Sequence, residues 1–240
     1  MDKVSSAFSE TSFSAPARGP ATALPEAVLW DMDGTIIDTE PQWLAAEVAL
    51  AERHGGTWTE AMGDKLIGMA LPESIRIFRD LAEISAPPEQ LIVELIEEMV
   101  RLVRSGAADW RPGARELLTD LGRHEVPCAL VTMSYQQLAD VVIEMLPAGT
   151  FDTVVTGDQV NRGKPHPEPY LLAAERLGVN IQGTVALEDS VPGVTSAAAS
   201  GAHTIGIPAH QGIPESPEYS LVPTLAGVRP QDLLPLAGRG

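Results

Sequence analysis

Apolar residues fall along this chain in two spacings, one typical of buried strands and one typical of helices. The first strand signal is the run at 27–30, which ends at Asp31 and is as continuously hydrophobic as a strand buried on both faces. Three later segments repeat apolar residues every three or four positions and predict helices at 42–54, 73–84 and 89–105. Between about 39 and 110 no segment has strand character, so we expect an all-helical insertion there.

Beyond Arg111-Pro112-Gly113 the pattern alternates between strands and helices, which predicts a parallel sheet covered on both faces. The predicted strands are 126–132, 152–156, 184–188, 203–207 and a short one near 220–222, and the predicted helices are 113–123, 135–146, 167–177, 191–200 and one near 230–236. The fold class is therefore α/β, a doubly wound parallel sheet (Rossmann-like) with an inserted all-helical cap domain. We assign 25–38 and 111–240 to the core, 39–110 to the cap, and the Ser-, Ala-, Thr- and Pro-rich residues 1–24 to a disordered tail.

Charge and composition narrow the classes of ligand. The 240 residues include 16 basic and 33 acidic side chains, a net charge of −17 that argues against a general nucleic-acid binder. An anionic ligand would need a local positive device such as a metal ion or a lysine. No run of 18 apolar residues indicates a membrane span, and the first 24 residues lack the apolar stretch of a secretory signal. We expect a cytoplasmic protein, monomeric or weakly dimeric, with no membrane or nucleic-acid partner.

Polar residues follow several of the predicted strands, where a doubly wound sheet binds its ligands. Asp31 and Asp33 follow the first strand, Thr132 follows another, and the pair Glu188-Asp189 follows a third. Four carboxylates at one edge would repel one another, and a hard divalent cation with oxygen ligands would relieve that repulsion. Mg²⁺ suits such a site when the site also handles phosphate. Lys164 adds one positive charge and is the only lysine of the predicted core.

These motifs resemble those of the haloacid dehalogenase superfamily, specifically its phosphatase and phosphomutase branch with a small helical cap. Its four elements stand in order: DMDGT at 31–35, the hydroxyl residue Thr132, Lys164 in GKPHPEPY, and the acidic pair in LEDS at 187–190. The resemblance covers the core from Val28 to about Ile207 and implies a Mg²⁺-dependent phosphoryl transfer through an aspartyl-phosphate.

The resemblance also implies a role for each residue. Asp31 would be the nucleophile, and Asp33 would protonate the leaving oxygen and then deprotonate the attacking water. Thr132 would hydrogen-bond a phosphoryl oxygen, and Lys164 would neutralise phosphoryl charge. The implied metal ligands are Asp31, Asp33 through its backbone carbonyl, Asp189 and Glu188. The residues expected to contact the substrate are Gly34, Thr35 and Ser134 in the core, and Glu40, Trp43 and Gly68 in the cap.

The cap decides between related activities. The β-phosphoglucomutase group, which the pattern resembles most closely, has an arginine where this chain has Leu71 and a histidine where it has Trp43. Both differences remove groups that would handle a bisphosphate. We therefore expect a phosphatase acting on a small phosphorylated metabolite such as a sugar phosphate. A phosphosugar mutase is the alternative, and a catalytically silent binding protein on the same fold is a more remote one.

Overall fold

Six parallel strands form the central sheet in a computed structural model of the protein, which describes residues 23–66, 69–210 and 212–238. Eight strands are described, and all but β2 and β3 belong to this sheet. In chain order, they are β1 Ala27–Trp30, β2 Ile37–Asp38, β3 Asp109–Trp110, β4 Cys128–Val131, β5 Thr153–Val155, β6 Thr184–Glu188, β7 His203–Gly206 and β8 Ser220–Leu221. The helices are α1 Glu40–Arg53, α2 Glu60–Gly63, α3 Leu71–Leu81, α4 Pro88–Arg104, α5 Ala114–Arg123, α6 Gln136–Glu144, α7 Glu168–Leu177, α8 Val191–Ser200 and α9 Leu233–Leu236. The predicted tail lies outside the described residues up to position 22.

The strand order in the central sheet is β5-β4-β1-β6-β7-β8, and all its pairs are parallel. Strand β1 is central: Leu29 is opposite Ala129 of β4 on one side and Ala186 of β6 on the other. Later strands of the chain therefore lie on both sides of β1, which makes a topological switch point at its carboxyl end. The predicted doubly wound sheet is confirmed, and the ends of β1, β4 and β6 meet at one edge.

Alternation along β1 divides its buried side chains between the two faces of the sheet. Val28 and Trp30 belong to one apolar cluster, and Leu29 belongs to a second one that includes Val131 and Tyr170. All four residues of β1 are completely buried, as expected for a parallel strand covered by helices on both sides. This packing makes β1 a rigid support for the residues that follow it.

Helices α1 to α4 form the cap, where α1 and α3 both contact α4. Their apolar stripes meet in an interior that includes Leu50, Phe78, Leu91 and Met99, all at most 1% exposed. This interior belongs to the same apolar cluster as Trp30 of the sheet. Burial of each such side chain contributes about 1.5–3 kcal/mol, so the shared cluster stabilises both the cap and its attachment to the core.

The two ends of the cap are joined by a short antiparallel ribbon, in which Ile37 of β2 is opposite Trp110 of β3 and Asp38 is opposite Asp109. The expectation that 39–110 contains no strand is therefore wrong at 109–110. Two-residue strands are too short to leave a periodic pattern, so only the pairing reveals them.

Helix ends differ from the predictions by a few residues. The helix predicted at 73–84 begins at Leu71 and ends at Leu81. Glu83 has φ of 57°, a left-handed conformation that ends a helix, and its polar side chain gives no warning of this in the sequence. Within the described ranges, no helix is both long and apolar enough to cross a membrane.

Candidate active site

The ends of three neighbouring strands form the floor of the candidate site. Asp31 follows β1, Thr132 follows β4, and Glu188 and Asp189 lie at the end of β6. Lys164 reaches the same point from the loop that precedes α7. The sheet order thus brings together residues that are up to 158 positions apart, counted from Asp31 to Asp189.

A buried lysine stands between two carboxylates in this floor. Lys164 Nζ lies 2.7 Å from Asp31 Oδ1 and 2.5 Å from Glu188 Oε1, and it also donates to the carbonyl oxygen of Val131 at 2.9 Å. Glu188 is completely buried and accepts a hydrogen bond from the Tyr170 hydroxyl at 2.5 Å. Every ammonium hydrogen of Lys164 therefore has an acceptor, which fixes the position and orientation of the ammonium group.

Asp31, Glu188 and Asp189 form an acidic cluster in which one carboxylate oxygen of each residue lies within 4.8 Å of the other two. Lys164 is the single cation bonded to this cluster among the described residues. Three carboxylates against one ammonium leave an excess of negative charge, and all the side-chain donors are oxygens. A hard divalent cation such as Mg²⁺ fits this donor set.

Burial and mutual repulsion shift the acidity of the floor. Burial raises the pKa of Asp31 to about 7, an effect that Lys164 partly offsets and that Glu188 reinforces. Burial also raises the pKa of Asp189 well above its usual range, with further contributions from Asp31 and Glu188. The pKa of Lys164 is raised because its two carboxylate partners outweigh the burial penalty. The site therefore favours a bound positive charge.

Asp33 is held by four donors from different parts of the chain. Its Oδ1 accepts from the Thr39 hydroxyl at 2.6 Å and from Trp43 Nε1 at 3.4 Å. Its Oδ2 accepts from the Ser134 hydroxyl at 2.8 Å and from the Thr132 hydroxyl at 3.2 Å. Asp33 lies outside the three-carboxylate cluster, and its predicted metal contact is through the backbone carbonyl. Its side chain lines the cavity, and its role in proton transfer stays a prediction.

Gly34 and Thr35 make their contacts within the protein. Gly34 has φ of 84°, and a Cβ there would overlap the carboxylate of Asp189, so glycine permits the close approach of these two segments. The Gly34 N–H donates to the Ile37 carbonyl at 2.8 Å, and the Thr35 hydroxyl donates to Asp31 Oδ2 at 2.9 Å. These contacts shape the loop around Asp31, and the substrate contact expected of the two residues stays a prediction.

A cavity of about 820 Å³ opens from this floor into the cap. The predicted residues Glu40, Trp43 and Ser134 line it together with the catalytic candidates. Burial raises the pKa of the half-buried Glu40, an effect that His210 opposes. The remaining predicted cap residue, Gly68, lies outside the described residues.

Four residues at or beside this site did not emerge from the sequence. Thr39 bonds Asp33, Tyr170 bonds Glu188, and His210 bonds Asp38 at 2.8 Å and lines the cavity. Glu47 of α1 also lines the cavity while it is only 9% exposed. A carboxylate on the apolar face of an amphipathic helix is a signal that could have identified Glu47. The other three are identified only by side-chain contacts, which residue type and spacing do not reveal.

Comparisons with known proteins agree with this geometry. A family model for haloacid dehalogenase-like hydrolases matches residues 28–207. A phosphorylated carbohydrates phosphatase of Thermotoga maritima is 37% identical over 181 residues, which are 75% of this chain and 83% of that protein. Hexitol phosphatase A of Escherichia coli is 32% identical over 197 residues, 81% of this chain and 88% of that protein.

A solved structure shares the architecture. The crystal structure of CbbY from Rhodobacter sphaeroides in complex with phosphate superposes with a TM-score of 0.80 at 25% identity, covering 88% of this chain and 99% of that one. The motifs, the converging strand ends and the sequence relatives lead to one assignment. This chain is a member of the haloacid dehalogenase-like hydrolase family and belongs with the phosphatases of that family.

Proposed function

We propose that this protein is a Mg²⁺-dependent phosphomonoesterase that hydrolyses small phosphorylated carbohydrates through an aspartyl-phosphate formed on Asp31. The observation that carries the proposal is the contact of 2.7 Å between Lys164 Nζ and Asp31 Oδ1, in an acidic floor that opens onto a cavity. The names of the sequence relatives support a carbohydrate as the phosphorylated group.

In the first half of the reaction, a carboxylate oxygen of Asp31 attacks phosphorus and the bond from phosphorus to the leaving oxygen breaks. The Lys164 ammonium favours the ionised form of Asp31 and offsets charge on the phosphoryl oxygens. Asp33, in its protonated form, gives its proton to the leaving alcohol. The hydroxyl of Thr132 donates to Asp33 in this structure, and in the reaction it would turn its hydrogen to a phosphoryl oxygen once Asp33 is protonated.

In the second half, water attacks the phosphorus of the aspartyl-phosphate while Asp33 takes a proton from it, so that Asp31 and free phosphate are restored. Asp31, Asp189 and Glu188, with the backbone carbonyl of Asp33, would hold the Mg²⁺. A bound Mg²⁺ would supply charge neutralisation at the phosphoryl oxygens. Because phosphoryl transfer depends mainly on alignment and charge, this residue set is sufficient for it.

The mutase alternative requires a grip on a second phosphate in the cap. Leu71 and Trp43, which line the cavity, offer no positive charge for that purpose. His210 is the only basic residue besides Lys164 among the described residues of the cavity wall, and it is bonded to Asp38. Water is therefore the acceptor that the cavity favours.

The test is phosphate release from a panel of sugar and sugar-alcohol monophosphates, with Mg²⁺ and with excess chelator. We expect Mg²⁺-dependent release and, after rapid acid quenching, a protein species heavier by one phosphoryl group. Turnover that persists in chelator would refute the metal requirement. Incubation with β-glucose 1-phosphate and a trace of the 1,6-bisphosphate separates the two activities, because glucose 6-phosphate without free phosphate would identify a mutase.

A further inference from the structure

The half of the cavity that lies within the cap is mostly apolar. Leu44 of α1, Ile75 and Phe78 of α3, and Leu95 of α4 form its walls. A leaving group held here is surrounded by hydrocarbon, so a polar group on this wall has a large influence on what binds. Glu47 is such a group, because it faces the cavity from α1 while 91% of its surface is buried.

One oxygen of Glu47 is occupied by the protein. Its Oε2 accepts from Trp58 Nε1 at 2.8 Å, and the Trp58 ring packs against Phe78 with ring centroids 4.5 Å apart. A Cβ on Gly63 would approach Oε2 to 3.2 Å, so the glycine lets the chain pass close to this pair. Glu47 is therefore held in one position by a buried aromatic donor, which is the condition for a selective contact.

The other oxygen of Glu47, Oε1, accepts no hydrogen bond from the described residues. Glu47 lines the cavity, and with Oε2 held by Trp58 we take Oε1 as the oxygen that a ligand would reach. Burial raises the pKa of Glu47 to about 7, the Trp58 hydrogen bond lowers it, and Glu40 raises it. An acceptor with free capacity in an apolar wall gains most from a donor carried by the ligand.

The charges around this wall determine the kind of ligand. Besides Glu47, the cap contributes Glu40, Glu60 and Asp64 to the cavity, and all are acidic. Among the described residues of the wall, Lys164 is paired with the floor carboxylates and His210 with Asp38. A second phosphate or a carboxylate on the leaving group would meet only like charge here.

We infer that Glu47 is a specificity-determining residue whose Oε1 accepts a hydrogen bond from a hydroxyl of the leaving group. The substrate is accordingly a monophosphate whose leaving group is uncharged, carries hydroxyls and bears no second anionic group. This inference rests on the proposed function, because it names the contact through which the cap selects the phosphorylated carbohydrate.

The experiment compares sorbitol 6-phosphate, which has a polyhydroxyl leaving group, with p-nitrophenyl phosphate, whose leaving group has no hydroxyl to donate before cleavage. The measured quantity is the ratio of kcat/KM for the two substrates, which is independent of the fraction of active protein. In Glu47→Leu we expect this ratio to fall about tenfold or more, chiefly through a higher KM for sorbitol 6-phosphate. In Glu47→Gln the amide oxygen stays with Trp58 Nε1, so an NH2 group replaces the acceptor in the cavity, and the ratio should also fall, by a smaller factor.

The matched control is Glu52→Gln, an exposed carboxylate on the same helix, which should leave the ratio within twofold of the wild type. If Glu47→Leu does not fold, as judged by its thermal melting, Glu47→Gln carries the test. An unchanged ratio in the folded Glu47 variant refutes the inference. Faster turnover of fructose 1,6-bisphosphate than of fructose 6-phosphate by the wild type also refutes it.

Failure of the proposed function gives a different result. In that case the wild type would hydrolyse no sugar or sugar-alcohol monophosphate in the panel, whatever residue occupies position 47. Turnover of sorbitol 6-phosphate by the wild type together with an unchanged ratio in the variants would contradict only the role of Glu47.

Discussion

The floor of the cavity and its cap wall differ in how their charged groups are paired. In the floor, most charged groups have partners of fixed geometry: Lys164 forms ion pairs with Asp31 and Glu188, and Asp33 accepts four hydrogen bonds. In the cap wall, Glu47 has one neutral donor and no cationic partner among the described residues. The floor lies at strand ends, whereas the wall is carried by cap helices, whose apolar residues surround Glu47 in the cavity.

This difference separates two tasks. Charged groups fixed on a rigid sheet edge act on a transferring phosphoryl group whatever it is attached to. A mostly apolar wall with one buried, oriented acceptor has little effect on the phosphoryl group and acts on the leaving group. Reaction and selectivity should therefore respond to different substitutions.

Asp31→Asn is expected to have the largest effect, because the amide keeps the shape of the floor but cannot form the acyl-phosphate. Turnover of every substrate should fall by about 10⁴-fold or more, as is typical when a nucleophile is lost. Steady-state phosphate release measures this, with the exposed Asp109→Asn as control. Turnover retained within tenfold would contradict the role of Asp31.

Lys164→Met should be the next most damaging change, since it leaves Asp31 and Glu188 as buried carboxylates without their cation. Removal of one partner of a buried ion pair commonly costs about 3–5 kcal/mol of folding stability. Turnover should fall by about 10³-fold, because the charge on the phosphoryl oxygens is no longer offset. The cap lysine provides the control as Lys65→Met, which should change turnover less than twofold. Equal losses in the two variants would show that the position of Lys164 in the floor is unimportant.

Asp33→Asn tests proton transfer separately from nucleophilic attack, because it removes the proton donor and leaves the nucleophile Asp31 in place. Turnover of a sugar phosphate, which has a poor leaving group, should fall by about 10³-fold, and turnover of p-nitrophenyl phosphate should fall much less. Parallel kcat measurements on both substrates decide the point. If both fall by the same factor, Asp33 is not the general acid.

Glu47 in the cap wall should also affect the pH dependence of folding stability. The pKa of Glu47 is about 7 in the folded protein against a usual value of 4.5, because burial penalises its charge. The unfolded chain therefore releases this proton first, and Glu47 costs stability as pH rises from about 4.5 to 7. Across this window, the free energy of unfolding of Glu47→Gln should rise relative to that of the wild type by up to about 3 kcal/mol.

Urea unfolding of both proteins at pH 4 and pH 8 measures this gain, since most other titrations cancel in the difference. The control Glu52→Gln should show no pH-dependent difference from the wild type. A difference for Glu47→Gln that is flat or shrinks with rising pH would show that Glu47 is ionised without penalty.

Much of the fold could be predicted from local patterns. The run at 27–30 is hydrophobic at every position, and the helices after Gly113 alternate with strands, so the parallel sheet with a helical insertion follows from spacing alone. The ribbon between β2 and β3 could not be predicted, because its pairs join residues more than 70 positions apart through two-residue strands. The early end of α3 depends on the left-handed backbone conformation of Glu83, which a glutamate residue does not predict.

The candidate site divides in the same way. The motifs identified Asp31, Asp33, Thr132, Lys164, Glu188 and Asp189, and the structure brings all six to one sheet edge. Their catalytic and metal-binding roles remain predictions. Tyr170 beneath Glu188 and Thr39 beside Asp33 are absent from that set, because a hydroxyl that supports a carboxylate has no sequence signature of its own.

By itself, the sequence determined which chemical groups this protein has and the order in which the chain presents them. Only the tertiary structure decided that β1 lies between β4 and β6, and that Glu47 faces the cavity with one oxygen held by Trp58. The reason is physical. Local spacing depends on backbone periodicity, which each segment carries alone, whereas the surroundings of a carboxylate depend on which distant segments pack against it.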